Sequence, residues 1–219
     1  PVTNAAVHWS VLSDNYSFSY QCPAGQPCPW YDWTDYDWTS YTGEEYGGYG
    51  GLLAEGDAET DAQGRVTFKI PADIGDKRQS QVFTIEASVT DINGQQVSNR
   101  TGAIVHKGEF YIGVAPRGYL AEAGEQKQFD LLTVDRGGEP VGDVDLTVTL
   151  FQRRWYSVRR QAEDGQFYWD WTVEEIPVMT TTVTTGNDGK AVAALSPKKA
   201  GGYKVRAIGR DAQENEIRT

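Results

Sequence analysis

The chain has 219 residues, and its 31 acidic against 20 basic side chains leave a net charge of −11. The isoelectric point is about 4.6, so a polyanion is repelled over most of the surface and nucleic acid is excluded as a partner. An aromatic content of 12% is too high for a disordered chain, and no apolar run approaches the roughly 20 residues of a membrane-spanning helix.

The first stretch, Pro1 to Val11, returns as Pro140 to Leu150 with its apolar positions in phase. Gln63-Gly64-Arg65-Val66 returns as Asp188-Gly189-Lys190-Ala191, each opening a strand-like run that ends at a proline, Pro71 or Pro197. Phe83, Ile85, Ala87 and Asp91 then align with Tyr203, Val205, Ala207 and Asp211. Three matches in one order read as a duplicated module. The expected domains are 1–108 and 109–219, each of a size that buries its own core.

In chain order, Arg65 to Ile70 alternates apolar and charged residues with the period of a half-buried strand. Val82 to Val89 does the same, and Asn93-Gly94 turns it back into Gln96-Val97-Ser98. Thr101 to His106 extends the first domain, and Lys107-Gly108-Glu109 joins it to a strand at Phe110 to Val114. Further strands are expected at Phe129 to Val134, Asp143 to Gln152, Trp155 to Arg160, Phe167 to Val173, Val178 to Thr185, Lys190 to Leu195 and Tyr203 to Ile208. No stretch carries the 3.6-residue period and caps of a substantial helix. The fold class is all-β, two tandem immunoglobulin-like or fibronectin-like sandwiches. Tyr203 stands where such sandwiches place a tyrosine corner, and a plain core aromatic is the alternative.

The repeat also predicts what is missing. Residues from about Phe110 to Glu139 have no counterpart before Pro1, and Thr101 to His106 has none after Thr219. The first domain is therefore expected to lack N-terminal strands, the second its last strand, and sheet edges to stand unpaired.

Between Leu12 and Thr60 the pattern dissolves, and residues 13–57 read as a long aromatic loop of the first domain. Trp30, Trp33 and Trp38 in it form a candidate stacking platform for a sugar or a partner; the competing reading is packing over the sandwich itself. Phe151 to Pro177, the matching place in the second copy, is also aromatic. Cys22 and Cys28 flank a tight Pro- and Gly-containing loop that a disulfide closes, with free thiols or a two-thiol metal site as alternatives. Asp32, Asp35 and Asp37 are hard ligands but miss the spacing of a calcium loop, and Asn15 and Asn99 open glycosylation triplets. His8 and His106 lie within strand-like runs, and no nucleophile elbow, phosphate loop or metal motif is present, so no catalytic, cofactor or metal residue is assigned.

Pro1 to Val11, Thr84 to Asp91 with Gly94 and Val97, and Val105 to Val114 together resemble bacterial alpha-2-macroglobulin-like proteins. The resemblance implies tandem macroglobulin-like domains, the third and fourth, in a broad-spectrum protease inhibitor that entraps its target after cleavage of a bait segment. It implies a non-enzymatic scaffold without cofactors in a periplasmic or extracellular parent, with target proteases and neighbouring domains as partners and no membrane contact by this segment. Cys22 and Cys28 are each followed by proline, so neither belongs to a thioester motif. An adhesin or carbohydrate-binding protein using the aromatic loop is the alternative function.

Overall fold

The computed structural model describes residues 2–25, 28–35, 51–91, 93–162 and 165–219. Among them there is no helix. The strands are β1 (Ala6–Asn15), β2 (Gly51–Glu59), β3 (Gln81–Thr90), β4 (Gln96–Val105), β5 (Phe110–Pro116), β6 (Lys127–Asp135), β7 (Asp145–Gln161), β8 (Phe167–Thr184), β9 (Lys190–Leu195), β10 (Gly202–Arg210) and β11 (Glu216–Arg218). They fall into two compact units, Pro1–Ser17 with Gly43–Lys107, and Phe18–Thr42 with Gly108–Thr219.

The first unit holds one antiparallel sheet among its described residues, in the order β2-β1-β3-β4. Alternation sorts its faces: Val7, Trp9 and Val11 lie opposite Val89, Ala87 and Ile85, while His8 and Ser10 share the other face with Ser88 and Glu86. Trp9 stacks on Phe68 with centroids 4.5 Å apart. Gly56 lies against the same indole, where a Cβ would come within 2.7 Å of the ring.

Two sequence expectations need correction here. Arg65 to Ile70 is not a strand: Val66, Phe68 and Ile70 are half-buried in alternation, but the segment pairs with nothing as a ladder. Its counterpart β9 pairs with β6, and no described strand of the first unit stands in β6's place. Nor is 13–57 all loop, because β2 forms from Gly51–Glu59 and pairs with β1. Its glycines, alanines and acids carry little strand propensity of their own, so pairing decides its conformation.

The second unit is a sandwich of two antiparallel sheets, β11-β10-β7-β8 and β5-β6-β9. Ile112, Val114, Leu131, Leu146, Val148, Leu150, Leu195 and Ala207 fill the space between them, each large side chain contributing about 1.5–3 kcal/mol by burial. The expected pairs of short strands fuse into β7 and β8, of 17 and 18 residues. A register shift between Leu150 and Phe151 bulges Val178 out of the ladder. Pro177 is tolerated because β8 is an edge strand.

The duplication extends to single hydrogen bonds. Asn4 and Asp143 both have positive φ, 52° and 57°, and each amide donates to a threonine carbonyl, that of Thr60 or Thr185. The next amide, of Ala5 or Val144, donates to that threonine's hydroxyl at 3.0 Å. Gly64 and Gly189 share φ 71° in matching turns. The carboxylates of Asp91 and Asp211 accept the amides two and four residues ahead in both copies.

Candidate functional site: a strap and its buried ion cluster

The aromatic insertion leaves β1, and its stretch from Phe18 to Thr42 belongs to the second unit. The described residues of that stretch, 18–25 and 28–35, are a strap around one edge of the second sandwich. The strand it covers carries the reason: β5 reads Phe-Tyr-Ile-Gly-Val-Ala-Pro, with almost no alternation and nearly every residue buried. Such a run belongs to a strand covered on both faces.

The inner face of β5 meets the core through Phe110, Ile112 and Val114. Its outer face is covered by the strap. Phe18 stacks on Tyr111 at 4.0 Å and meets Trp33 edge-on at 5.1 Å. Tyr31 packs with Ala115, Leu132 and Val134. Trp33 lies over Gly113, where a Cβ would come within 2.9 Å of its ring. The Cys22–Cys28 disulfide is formed, and Cys28 packs against the same cluster. Burial, followed by the nearby Asp130 charge, pushes the Tyr31 phenol up.

At the sandwich edge the strap continues the sheet. The Asp32 amide donates to the Val114 carbonyl at 2.8 Å, and the Val114 amide donates back at 2.9 Å. The Asp32 carbonyl also accepts the Thr219 hydroxyl, at 2.9 Å, so an exposed edge strand is capped.

Beyond the edge, Asp35 reaches the outer face of the opposite sheet. In β10 the alternation Tyr203-Lys204-Val205-Arg206-Ala207 sends the apolar residues to the core and both cations outward, beside Phe151 and Thr149 of β7. Asp35 is 2% exposed. Its carboxylate accepts from Lys204 and from Arg206 at 3.1 and 3.3 Å, and Arg218 stands 3.7 Å away. Glu175 takes Arg206 at 2.9 Å, Arg153 at 3.2 Å and Lys204 at 3.7 Å. Burial pushes the Asp35 carboxyl up, but the Lys204 hydrogen bond and the charges of Lys204 and Arg206 outweigh it and hold it below the usual carboxylate range.

Chemically this cluster is spent on itself. Among the described residues no buried side-chain nitrogen or oxygen lacks a partner, and a carboxylate gripped by three cations offers a metal no ligand. The Asp32 carboxylate caps the Thr34 amide at 3.2 Å, and Asp37 lies outside the described residues. The expected tryptophan platform is divided: Trp30 is 87% exposed, Trp33 packs inward, and Trp38 lies outside the described residues. His8 pairs with Asp57 at 2.9 Å on an exposed face, and His106 meets Tyr16 edge-on. The Tyr203 hydroxyl donates to the carbonyl of Lys199 at 2.7 Å, four residues upstream, the bond that defines a tyrosine corner. Sequence reasoning missed Arg153, Glu175, Lys204, Arg206 and Arg218. The signal was the pair of outward cations in β10, which required a counter-charge from elsewhere.

Residues 113–217 match the family model for bacterial macroglobulin domain 6. The resemblance implied the third and fourth domains, whereas the model that the second copy matches is that of domain 6. The whole chain superposes on the native conformation of E. coli alpha-2-macroglobulin with a TM-score of 0.66 at 14% identity. It superposes on Salmonella alpha-2-macroglobulin reacted with methylamine at 0.65 and 13%, and on E. coli alpha-2-macroglobulin activated by porcine elastase at 0.57 and 14%. The match covers 100% of this chain but only 14%, 14% and 19% of those chains. No curated protein sequence matches.

Proposed function

We propose, from the match of residues 113–217 to the model for bacterial macroglobulin domain 6, that the chain is a non-catalytic scaffold segment of a bacterial alpha-2-macroglobulin-like protease inhibitor. The observation that carries the reading is the strap. Its buried carboxylate, edge pairing and aromatic layer are all consumed in holding one sandwich together, which is the work of a frame and not of a reaction centre. Two similar structures, both from E. coli, are described as activated by porcine elastase and by trypsin. That favours proteases as targets of the parent molecule, reached through parts beyond this segment. The Cys22–Cys28 disulfide favours an oxidising compartment, the periplasm or the extracellular space.

The experiment uses the intact parent. Elastase incubated with it should lose activity on a protein substrate such as casein while keeping activity on a short chromogenic peptide. Equal activity on casein with and without the parent would overturn the proposal.

A further inference from the structure

Beyond Arg153, which faces the first residue of β10, β7 and β8 leave the sheet as a two-stranded ribbon, Arg154 to Gln161 against Phe167 to Glu174. A ribbon without a third strand is marginal in water, so what its two faces carry matters. Cross-strand partners share a face. One face holds Tyr156, Val158 and Arg160 beside Thr172, Asp170 and Tyr168, and its polar groups close on one another: Arg160 pairs with Asp170 at 2.7 Å and the Tyr156 hydroxyl donates to Glu174 at 2.9 Å. The opposite face holds Trp155, Ser157, Arg159 and Gln161 beside Val173, Trp171, Trp169 and Phe167. There Trp169 and Trp171 are each 63% exposed, and Trp155 and Phe167 each 56%. A contiguous row of large rings left in water marks an interaction site.

The size of the strip selects the occupant. Eight residues at about 3.3 Å each, across two strands, give a face of about 26 by 10 Å, well under the roughly 800 Å² per partner of a stable protein interface. A second copy of this chain therefore finds too little area on it, whereas a linear ligand fits its length. On β8 the rings of Phe167, Trp169 and Trp171 stand at alternate positions, about 6.6 Å apart, somewhat more than the length of one pyranose unit, so the row spans several units of a linear sugar chain. Directly opposite on β7 runs a row of hydrogen-bonding groups, Gln161, Arg159 and Ser157. A β-linked sugar chain has this same division, a C–H face that lies on aromatic rings and an equatorial rim of hydroxyls.

Charge narrows the class. Among the described residues Arg159 is the only charged group on this face beyond Glu175, held over the Phe167 ring at 4.1 Å. At its base the face meets the ion cluster, whose cations Arg153, Lys204, Arg206 and Arg218 are already paired with Glu175 and Asp35 but outnumber those carboxylates, so the cluster adds a net positive field there and no free ligand. On a chain of net charge −11, this strip is complementary to an anion. We propose that the Trp155/Arg159/Trp169/Trp171 face of the ribbon binds a linear, β-linked acidic polysaccharide.

The test takes the chain as it is and titrates it with a hyaluronan hexasaccharide and with neutral chitohexaose, by calorimetry and by quenching of tryptophan fluorescence with acrylamide. Hyaluronan should bind and shield tryptophans from the quencher. The double variant W169S/W171S should bind at least about tenfold more weakly with its melting temperature kept. R159Q should lose the preference for hyaluronan over chitohexaose, and Y168S on the other face should bind as the unaltered chain does. The shielding of the unaltered chain stands as evidence even if a variant fails to fold. Absence of hyaluronan binding at millimolar concentration, binding that survives W169S/W171S, or self-association lost in that variant would each overturn the proposal. None of these outcomes bears on the scaffold reading, which is tested on proteases.

Discussion

Replacing Asp35 with asparagine keeps the shape of the side chain and removes its charge, leaving Lys204, Arg206 and Arg153 to share Glu175 and Arg218 without the carboxylate it faces. Breaking a buried ion pair from one side costs about 3–5 kcal/mol. The cations here keep 11–24% of their side-chain surface in water, so screening lowers the expected loss to about 2–3 kcal/mol. The loss is also capped at whatever holds the strap, because the sandwich core of Leu146, Val148 and Leu131 is not touched. For a unit of this size that is a fall in melting temperature of about 6–12 °C, or an early tryptophan transition in urea as Trp33 leaves Gly113. The pH dependence has a fixed sign. The folded carboxyl is held below its unfolded value of about 4, so its contribution is complete above about pH 5 and is lost as the pH falls through the folded value. Wild type and Asp35→Asn should therefore differ by a constant amount at neutral pH and converge in acid. A variant as stable as wild type at pH 7, or a gap unchanged down to acid unfolding, would refute the assignment of the cluster as the strap's anchor.

Gly113→Ala would drive a methyl into the Trp33 ring and the Tyr31 Cβ, both within 3.0 Å; a loss of about 1–3 kcal/mol is expected, with the near-ultraviolet dichroism of the aromatic layer diminished. Reduction of Cys22–Cys28, or its replacement by serines, removes a cross-link over six residues and should cost about 2 kcal/mol in urea unfolding. Asp211→Ala strips the turn before β11 of an acceptor for the Gln213 and Asn215 amides and for that of Glu109. The β11 amides should then exchange faster while those of β6 do not.

The duplicated frame was legible because its signals are local. Alternation set the faces of β3 and β10, and turn residues such as Asp91 and Gly94 marked where the chain reverses. Phe110 to Val114 was recognised as a strand, yet its unbroken apolar run also meant that something covers its second face, and a local pattern does not say what. The cover comes from residues about 80 to 95 positions earlier, with β2, β3 and β4 intervening in the sequence. The same limit hid the ion cluster, whose members lie on β7, β8, β10, β11 and the strap. Arg65 to Ile70 shows the converse: its alternation was realised as half-burial, but a ladder also needs a neighbouring strand.

Native-state hydrogen exchange at the amides of Asp32 and Val114 bears most directly on the central claim that the insertion is framework. If 18–35 is built into the second sandwich, both amides are protected to the level of the β5 and β6 ladder. Exchange of both at the rate of an open loop, with β6 still protected, would contradict it.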